Sequence, residues 1–178
     1  NLLDVTMEDL HDMPQQLYEG KITKLREKTQ GQLVIKEYPT ASAHSGHFKS
    51  LMNELALKKS FRPDVIFIDY LNICASSRFK GGNISSYFYV KAIAEELRGL
   101  AVEFNVPIFS ATQTTRTGYV STDIGLEDTS ESFGLPATAD FMFALISNEE
   151  LEALGQMKVK QLKNRYNDPS INLSLIHI

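Results

Sequence analysis

Short apolar runs alternate along the chain with longer segments in which apolar residues recur at helical spacing. The runs are brief and rich in Val, Ile and Phe, which predicts β-strands. They cover residues 32–38 (QLVIKEY), 64–69 (DVIFID), 106–112 (VPIFSAT), 140–147 (DFMFALIS) and 157–164 (MKVKQLKN). Strands that alternate with helices are typical of an α/β protein with a mainly parallel sheet.

The segments between these runs predict several amphipathic helices. The first should begin after Asp12, a candidate N-cap, and end at Gly31. Two more should cover residues 45–60 and 84–105, and a short one is expected near the stretch SESFGLPATA. The near-continuous apolar runs at 65–68 and 141–146 predict a sheet covered on both faces.

Composition limits the class of protein but not its function. A chain of 178 residues with 43% hydrophobic and 22% charged residues is ordinary for one globular domain. No apolar run reaches the roughly 20 residues of a membrane span, so we expect no membrane contact. The net charge of −4 gives no general attraction to nucleic acid, so such a role would require locally basic loops. The single cysteine, Cys74, suits a reducing cytoplasm and is expected to be a small buried residue.

Asp69 ends the run 64–69 without a turn residue directly after it. Ligands of open α/β sheets gather beyond the carboxyl ends of the strands, where a carboxylate can hold Mg²⁺ beside nucleotide phosphates. Two other interpretations stay open: a cap of the next element, or the phosphoacceptor of a phosphorelay receiver domain. A receiver needs an acidic pair after an earlier strand, and the stretch LVIKEYPTAS supplies only Glu37.

Two further polar groups follow predicted strands. Thr112, Gln113 and Arg116 come at or after the end of the run 106–112, and Gln113 could sense a γ-phosphate or orient water. Lys163 and Arg165 follow in the stretch KNR at the end of the last run. The alternatives are a solvated polar loop for the first group and a charged edge strand for the second.

Taken together, these motifs resemble the hexameric replicative DNA helicases of the DnaB type, above all those of large tailed phages. VIFIDYLNI resembles their Walker B strand, VPIFSATQTTR their strand with a terminal Gln, and DTSESFGLPATADFMFAL the segment before the next strand. VKQLKNRYNDP resembles their last motif. The resemblance covers nearly the whole chain and implies one partial motor domain over residues 1–178. The implied fold is a RecA-like three-layer α/β/α P-loop NTPase core, incomplete at the N-terminus.

The resemblance also implies roles for individual residues. Asp69 would be the Walker B acid associated with Mg²⁺, and Gln113 would couple the state of the nucleotide to the DNA loops. Lys163 and Arg165 would reach the ATP of a neighbouring subunit, Arg165 as an arginine finger. The implied reaction of the parent protein is ATP hydrolysis coupled to 5′→3′ translocation on single-stranded DNA.

The same resemblance places single-stranded DNA in the centre of a homo-hexameric ring. Arg78, Lys80, Gly81 and Gly82 in the loop after the Walker B strand, with Arg116 in the loop after the Gln strand, would contact it. A flexible surface loop is the alternative for the first group. Phe133 stands where the family often has a small residue, which puts DNA contacts of its segment in doubt. Primase and a helicase loader are the implied protein partners.

The chain contains no phosphate-binding loop of the form G-x-x-x-x-G-K-[ST]. Gly20–Lys21 is the single Gly-Lys pair, and Ile22 follows it while Gln15 stands at the position of the first glycine. The family carries this loop and its catalytic Glu upstream, so we expect residue 1 to lie downstream of both. The end, INLSLIHI, has no turn signal and resembles a cut or a cloning junction. We therefore expect the chain by itself to hydrolyse no ATP, although its parent does.

Three alternatives differ from a helicase in class or detail. Another RecA-like ATPase, of the recombinase or clock type, shares the fold, but the KNR stretch and the SATQTTR loop favour a helicase. A receiver domain predicts phosphorylation of Asp69 by a small phosphodonor. A structural oligomerisation domain predicts that Arg165→Ala changes no nucleotide-dependent property.

Overall fold

The computed structural model describes residues 3, 5–79, 84–115, 124–129 and 134–167. The chain divides into two compact units, Asn1–Glu37 and Tyr38–Ile178. Several residues with predicted roles in DNA binding lie outside the described residues: Lys80, Gly81, Gly82, Arg116 and Phe133.

The N-terminal unit contains two helices, α1 (Met7–Asp12) and α2 (Gln15–Lys28). Thr6 begins α1 through a capping box: its hydroxyl accepts the Asp9 N–H at 3.0 Å, and the Asp9 carboxylate accepts the Thr6 N–H at 3.2 Å. The predicted N-cap at Asp12 is therefore wrong, because Asp12 is the last residue of α1. The extended backbone of Pro14 separates the helices, and α2 ends at Lys28, before Gly31.

The predicted strand at residues 32–38 is also wrong. This segment has no strand in the structure, and the side chains of Leu33 and Ile35 are each 83% exposed. A run with strand-like composition becomes a strand when another strand accepts its backbone hydrogen bonds. Within the described part of the chain, no strand does so for this segment.

The second unit alternates helices with strands, as predicted. Its elements are α3 (Ser45–Lys59), β1 (Ile66–Ile68), α4 (Ser86–Phe104), β2 (Ile108–Ser110), α5 (Gly134–Thr138), β3 (Phe141–Ile146), α6 (Glu149–Ala153) and β4 (Lys158–Asn164), with 3₁₀ turns at Leu71–Ile73 and Leu126–Asp128. Strands β1 and β2 pair in parallel, with Ile66 opposite Ile108 and Ile68 opposite Ser110. Strands β3 and β4 pair antiparallel, with an irregularity between Met142 and Phe143.

Helix α4 supplies one side of the main hydrophobic core. Its buried face packs against the turn after β1 and against α5; the members are Leu71, Cys74, Val90, Ile93, Ala94, Leu97 and Leu135. Ile93 is 1% exposed, and burying such a side chain stabilises the fold by about 2–3 kcal/mol. Cys74 is 8% exposed, which confirms its prediction as a buried residue.

The prediction of cover on both sheet faces is wrong for the described residues. Phe67 on β1 is 73% exposed and stacks on the half-exposed Phe109 of β2, with ring centroids 5.3 Å apart. On β3 the exposed side is made by Phe141, Phe143 and Leu145, which alternate with the more buried Met142, Ala144 and Ile146. Successive side chains of a strand point to opposite faces, and the described elements cover one of them.

Among the described residues, no helix combines the length and the apolar character needed to cross a bilayer.

Candidate functional site

Asp69 and Gln113 lie just beyond the carboxyl ends of the parallel strands β1 and β2. The register that sets Ile68 opposite Ser110 brings these two ends together, and the Ser110 hydroxyl donates a hydrogen bond of 2.8 Å to the Ile68 carbonyl. The ladder continues past the strands, since the N–H of Leu71 donates to a carbonyl beyond β2 at 3.2 Å. This is the edge at which an α/β sheet binds ligands.

The Asp69 carboxylate is exposed, and among the described residues no side chain or N–H group pairs with it. Its peptide bond to Tyr70 is cis. An unpaired carboxylate at a strand end is free to interact with a ligand at the sheet edge, whereas a capping residue would accept a local N–H. The capping interpretation of Asp69 therefore has no hydrogen bond to support it in the described structure.

Two side-chain contacts connect the segments that follow β1 and β2. The Gln113 amide donates to the Tyr70 hydroxyl at 3.3 Å, and the Thr112 hydroxyl donates to the Asn72 side-chain oxygen at 2.8 Å. Gln113 is thus linked to the residue directly after Asp69.

The surroundings of Asp69 suit a Mg²⁺ ion that keeps most of its waters. In the described part of the chain, no group of three or more His, Cys, Asp or Glu side chains could hold a metal ion. Magnesium commonly keeps several waters and takes one or two protein carboxylates together with substrate phosphates. A single exposed carboxylate suits that arrangement and does not suit a closed metal cage.

Arg78 is the member of the first predicted DNA loop that the structure describes. Its guanidinium pairs with Glu95 of α4 at 2.5 Å, and its side chain is 51% exposed. The backbone around it is bound to Glu96, the next residue of α4. Arg78 is therefore held by two neighbouring acidic residues of α4, both of which are partly exposed.

Lys163 and Arg165 converge on the C-terminal end of α5 within the same chain. The Arg165 Nε pairs with the Asp140 Oδ1 at 2.8 Å, and its Nη2 donates to the Ala137 carbonyl at 3.0 Å. The Lys163 ammonium donates to the Pro136 carbonyl. Burial and the neighbouring Arg165 lower the pKa of Lys163. Cations at a helix C-terminus are favourable, which gives Arg165 a stabilising role, whereas burial and the like charge of Arg165 offset this gain for Lys163.

The structure thus brings the predicted residues together in two separate pairs. Asp69 and Gln113 form one pair, Lys163 and Arg165 the other, and no hydrogen bond or ion pair between described residues joins the two. That Lys163 and Arg165 reach the ATP of a neighbouring subunit stays a prediction.

Sequence reasoning did not identify two acidic residues that organise these sites. Asp140 accepts both Arg165 and Arg98, the latter at 3.0 Å. Glu96 holds the segment after β1. Asp140 precedes an apolar run and Glu96 lies within a helical pattern, and neither position carries a local signal, because the partners are distant along the chain.

Comparisons with known proteins identify the relationship. No protein-family model matches this sequence. Over 171 residues, 94% of the chain, it is 49% identical to the DnaB-like replicative helicase of Enterobacteria phage T4, and it spans 36% of that protein's length. The fold matches a solved DnaB-like replicative helicase, described with its interactions with primase, at a TM-score of 0.73 and 17% identity, over 99% of this chain and 42% of that one.

A second solved structure, of an ATPase domain, also has a TM-score of 0.73, at 16% identity, over 99% of this chain and 62% of that one. At such low identity these likenesses concern the fold, and they confirm the predicted RecA-like α/β class. The 49% identity to the phage T4 protein, by contrast, is a likeness of the amino-acid sequence and not of the fold alone. By its sequence, this chain belongs to the DnaB-like replicative helicases, and it spans about a third of the length of the phage T4 member it matches.

Proposed function

We propose that this chain supplies the Walker B and glutamine half of the ATP site in the motor of a replicative DNA helicase. The observation that carries the proposal is the 49% identity to the phage T4 helicase over 171 residues. The adjacent positions of Asp69 and Gln113 at two parallel strand ends support it, since these are the two groups that such a site needs at this edge.

In the proposed site, Asp69 would hold Mg²⁺ through its waters beside the nucleotide phosphates. The ion supplies neutralisation of phosphate charge. Gln113 lies where it can sense the γ-phosphate, and its hydrogen bond to Tyr70 links that position to the segment after Asp69. That segment leads toward Arg78, so nucleotide state and DNA contact share one connected stretch of backbone.

Lys163 and Arg165 act, in this proposal, on the ATP of the next subunit in a homo-hexamer. Within one chain their charges rest on α5 carbonyls and on Asp140. A phosphate offers both cations a stronger partner than a carbonyl does. Each side chain would therefore exchange its position on α5 for the phosphate when a loaded neighbour approaches.

Single-stranded DNA is the proposed track, contacted by Arg78, Lys80, Gly81, Gly82 and Arg116. Primase is the proposed partner, supported by the related solved helicase that is described with its primase interactions. A helicase loader and a place in the cytoplasm of a bacterium, in a phage infection, complete the proposal. No observation favours the recombinase, receiver or oligomerisation alternatives.

By itself, the 178-residue chain is proposed to hydrolyse no ATP. It has no G-x-x-x-x-G-K-[ST] loop, so the backbone cradle and lysine for the phosphates are missing from its sequence. The expected result is no Mg²⁺-dependent phosphate release from the purified chain. Release that Asp69→Ala abolishes would contradict this part of the proposal.

A chimera tests the function directly. The 171 aligned residues replace their counterparts in the phage T4 helicase, and ATP hydrolysis and unwinding of a forked duplex are measured. The chimera should do both, and Asp69→Asn should lower hydrolysis about a hundredfold, because stabilisation of several kcal/mol is lost with the metal. Asp64→Asn, an exposed carboxylate just before β1, is the matched control and should leave the rate unchanged. A folded chimera in which Asp69→Asn is fully active would refute the proposal.

A further inference from the structure

The Glu96 carboxylate on α4 lies at the centre of a cluster of hydrogen-bond donors. Its Oε1 accepts the Ser76 hydroxyl at 2.6 Å, and its Oε2 accepts the Ser77 hydroxyl at 2.7 Å and the Ser45 hydroxyl at 2.8 Å. The Ser77 N–H lies 2.9 Å from Oε2, and the Arg78 N–H is shared between the Ser76 Oγ at 3.2 Å and the Glu96 Oε1 at 3.3 Å. One carboxylate therefore holds the turn at residues 76–78 and the first residue of α3.

This turn is attached to the protein at few other points. Ser76 is 5% exposed, and its N–H donates to the Tyr89 hydroxyl of α4 at 3.1 Å. The preceding Ala75 donates to the Ala43 carbonyl at 2.7 Å. The N–H groups of Ser77 and Arg78 both point toward the Glu96 carboxylate.

Glu95, the residue of α4 next to Glu96, pairs with the side chain of Arg78. Glu95 pairs with the Arg78 guanidinium at 2.5 Å, with Lys91 3.9 Å away on the other carboxylate oxygen. Two neighbouring carboxylates therefore bind different parts of Arg78: Glu96 accepts its backbone N–H, and Glu95 pairs with its guanidinium. Arg78 and Glu95 are both partly exposed, so this pair is weak and open to exchange.

We infer that Glu96 is a positioning residue for single-stranded DNA: it fixes the backbone at residues 76–78 so that Arg78 is presented to a DNA phosphate. Glu95 holds the Arg78 guanidinium until the phosphate replaces it. The inference rests on the proposed DNA role of Arg78 and adds to it a residue that does not touch DNA. Low exposure of Ser76 and the number of donors aimed at one carboxylate make the backbone position well defined.

Amide hydrogen exchange of the 178-residue chain tests the anchoring itself. In Glu96→Gln the Ser77 amide should exchange about tenfold faster or more, because a hydrogen bond to a charged group is worth about 1.5–3 kcal/mol. The Arg78 amide should also exchange faster, but by less, because it donates to the Ser76 Oγ as well. Glu95→Gln, the neighbouring control, should leave both amides within about twofold of the wild type, since its pair is a surface one. Equal exchange of these amides in Glu96→Gln and the wild type would overturn the inference. Protection of α4 amides verifies that each variant is folded.

Binding of a fluorescein-labelled oligothymidylate to the chimeric helicase tests the positioning role. Arg78→Ala should weaken binding and reduce the slope of log Kd against log salt by about 0.7, the value for one phosphate contact on a single strand. Glu96→Gln should weaken binding and reduce the salt slope in the same way. Glu96→Asp keeps the carboxylate and should retain part of the wild-type binding and slope. Glu95→Gln should strengthen binding about twofold to fivefold. A merely structural role of Glu96 would leave the salt slope unchanged.

The outcomes separate the two proposals. If Arg78→Ala binds DNA as the wild type does, the proposed DNA role of Arg78 is wrong, and the positioning inference falls with it. Amide exchange then still decides whether Glu96 anchors the turn. If Arg78→Ala weakens binding and Glu96→Gln does not, the positioning inference alone is wrong.

Discussion

The ionised Glu96 carboxylate should make the stability of this protein depend on pH in the acidic range. Partial burial by itself raises the pKa of Glu96, but hydrogen bonds from Ser76, Ser77 and Ser45 outweigh it and lower the pKa from 4.5 to about 2. A carboxyl group whose pKa is lower in the folded protein stabilises the fold while it is ionised. The contribution is fully present above pH 4.5 and is lost as the pH falls toward 2.

The structure sets the size of this contribution. At about 1.4 kcal/mol for each pKa unit, the lowering of the Glu96 pKa corresponds to an upper value of about 3 kcal/mol. Because the side chain is partly exposed, solvent screening reduces this to about 1–2 kcal/mol. In Glu96→Gln the side-chain N–H₂ faces hydrogen-bond donors and leaves some of them unpaired. The expected loss of unfolding free energy at pH 7 is therefore about 2 kcal/mol.

Urea unfolding followed by far-UV circular dichroism measures the effect, since the chain has no tryptophan. The wild type should exceed Glu96→Gln in unfolding free energy at pH 7, and roughly half of that difference should be gone near pH 3. Other carboxylates titrate equally in both proteins and cancel. Glu95→Gln is the control, with an expected change below about 0.5 kcal/mol at pH 7. An equal difference between wild type and Glu96→Gln at both pH values would refute the reasoning.

Three further perturbations probe other parts of the fold. Asp140→Asn should lower the unfolding free energy by about 1 kcal/mol, less at high salt, because it removes the carboxylate that Arg165 and a second arginine share; Asp64→Asn is the control, and equal stability of the two variants in urea would contradict this role. Ile93→Ala should cost about 2–5 kcal/mol by urea unfolding, since the side chain is almost fully buried; a loss below about 1 kcal/mol would mean that the core is loosely packed. Burial raises the pKa of the Cys74 thiol, so mass spectrometry should detect iodoacetamide labelling at pH 8 about tenfold more slowly in the native chain than in urea, and equal rates would show that the thiol is accessible.

The arrangement of Asp69 and Gln113 could be predicted from the sequence. Both follow apolar runs of strand type, and parallel strands place their carboxyl ends along one edge of a sheet. The position of Arg165 could not be predicted in the same way. Its partners Asp140 and Ala137 depend on how β4 pairs with β3 and on where α5 ends, and the charges alone are equally compatible with a solvated strand.

Local periodicity determined the kind and order of most elements, because a strand or a helix imposes its repeat on neighbouring residues. It failed at residues 32–38, where composition favoured a strand but no described strand accepts the hydrogen bonds. The tertiary structure alone decided such partnerships. Glu96 is the clearest case: it lies 19 residues from Ser77, and its low pKa arises from donors that only the packing of α4 against the turn assembles.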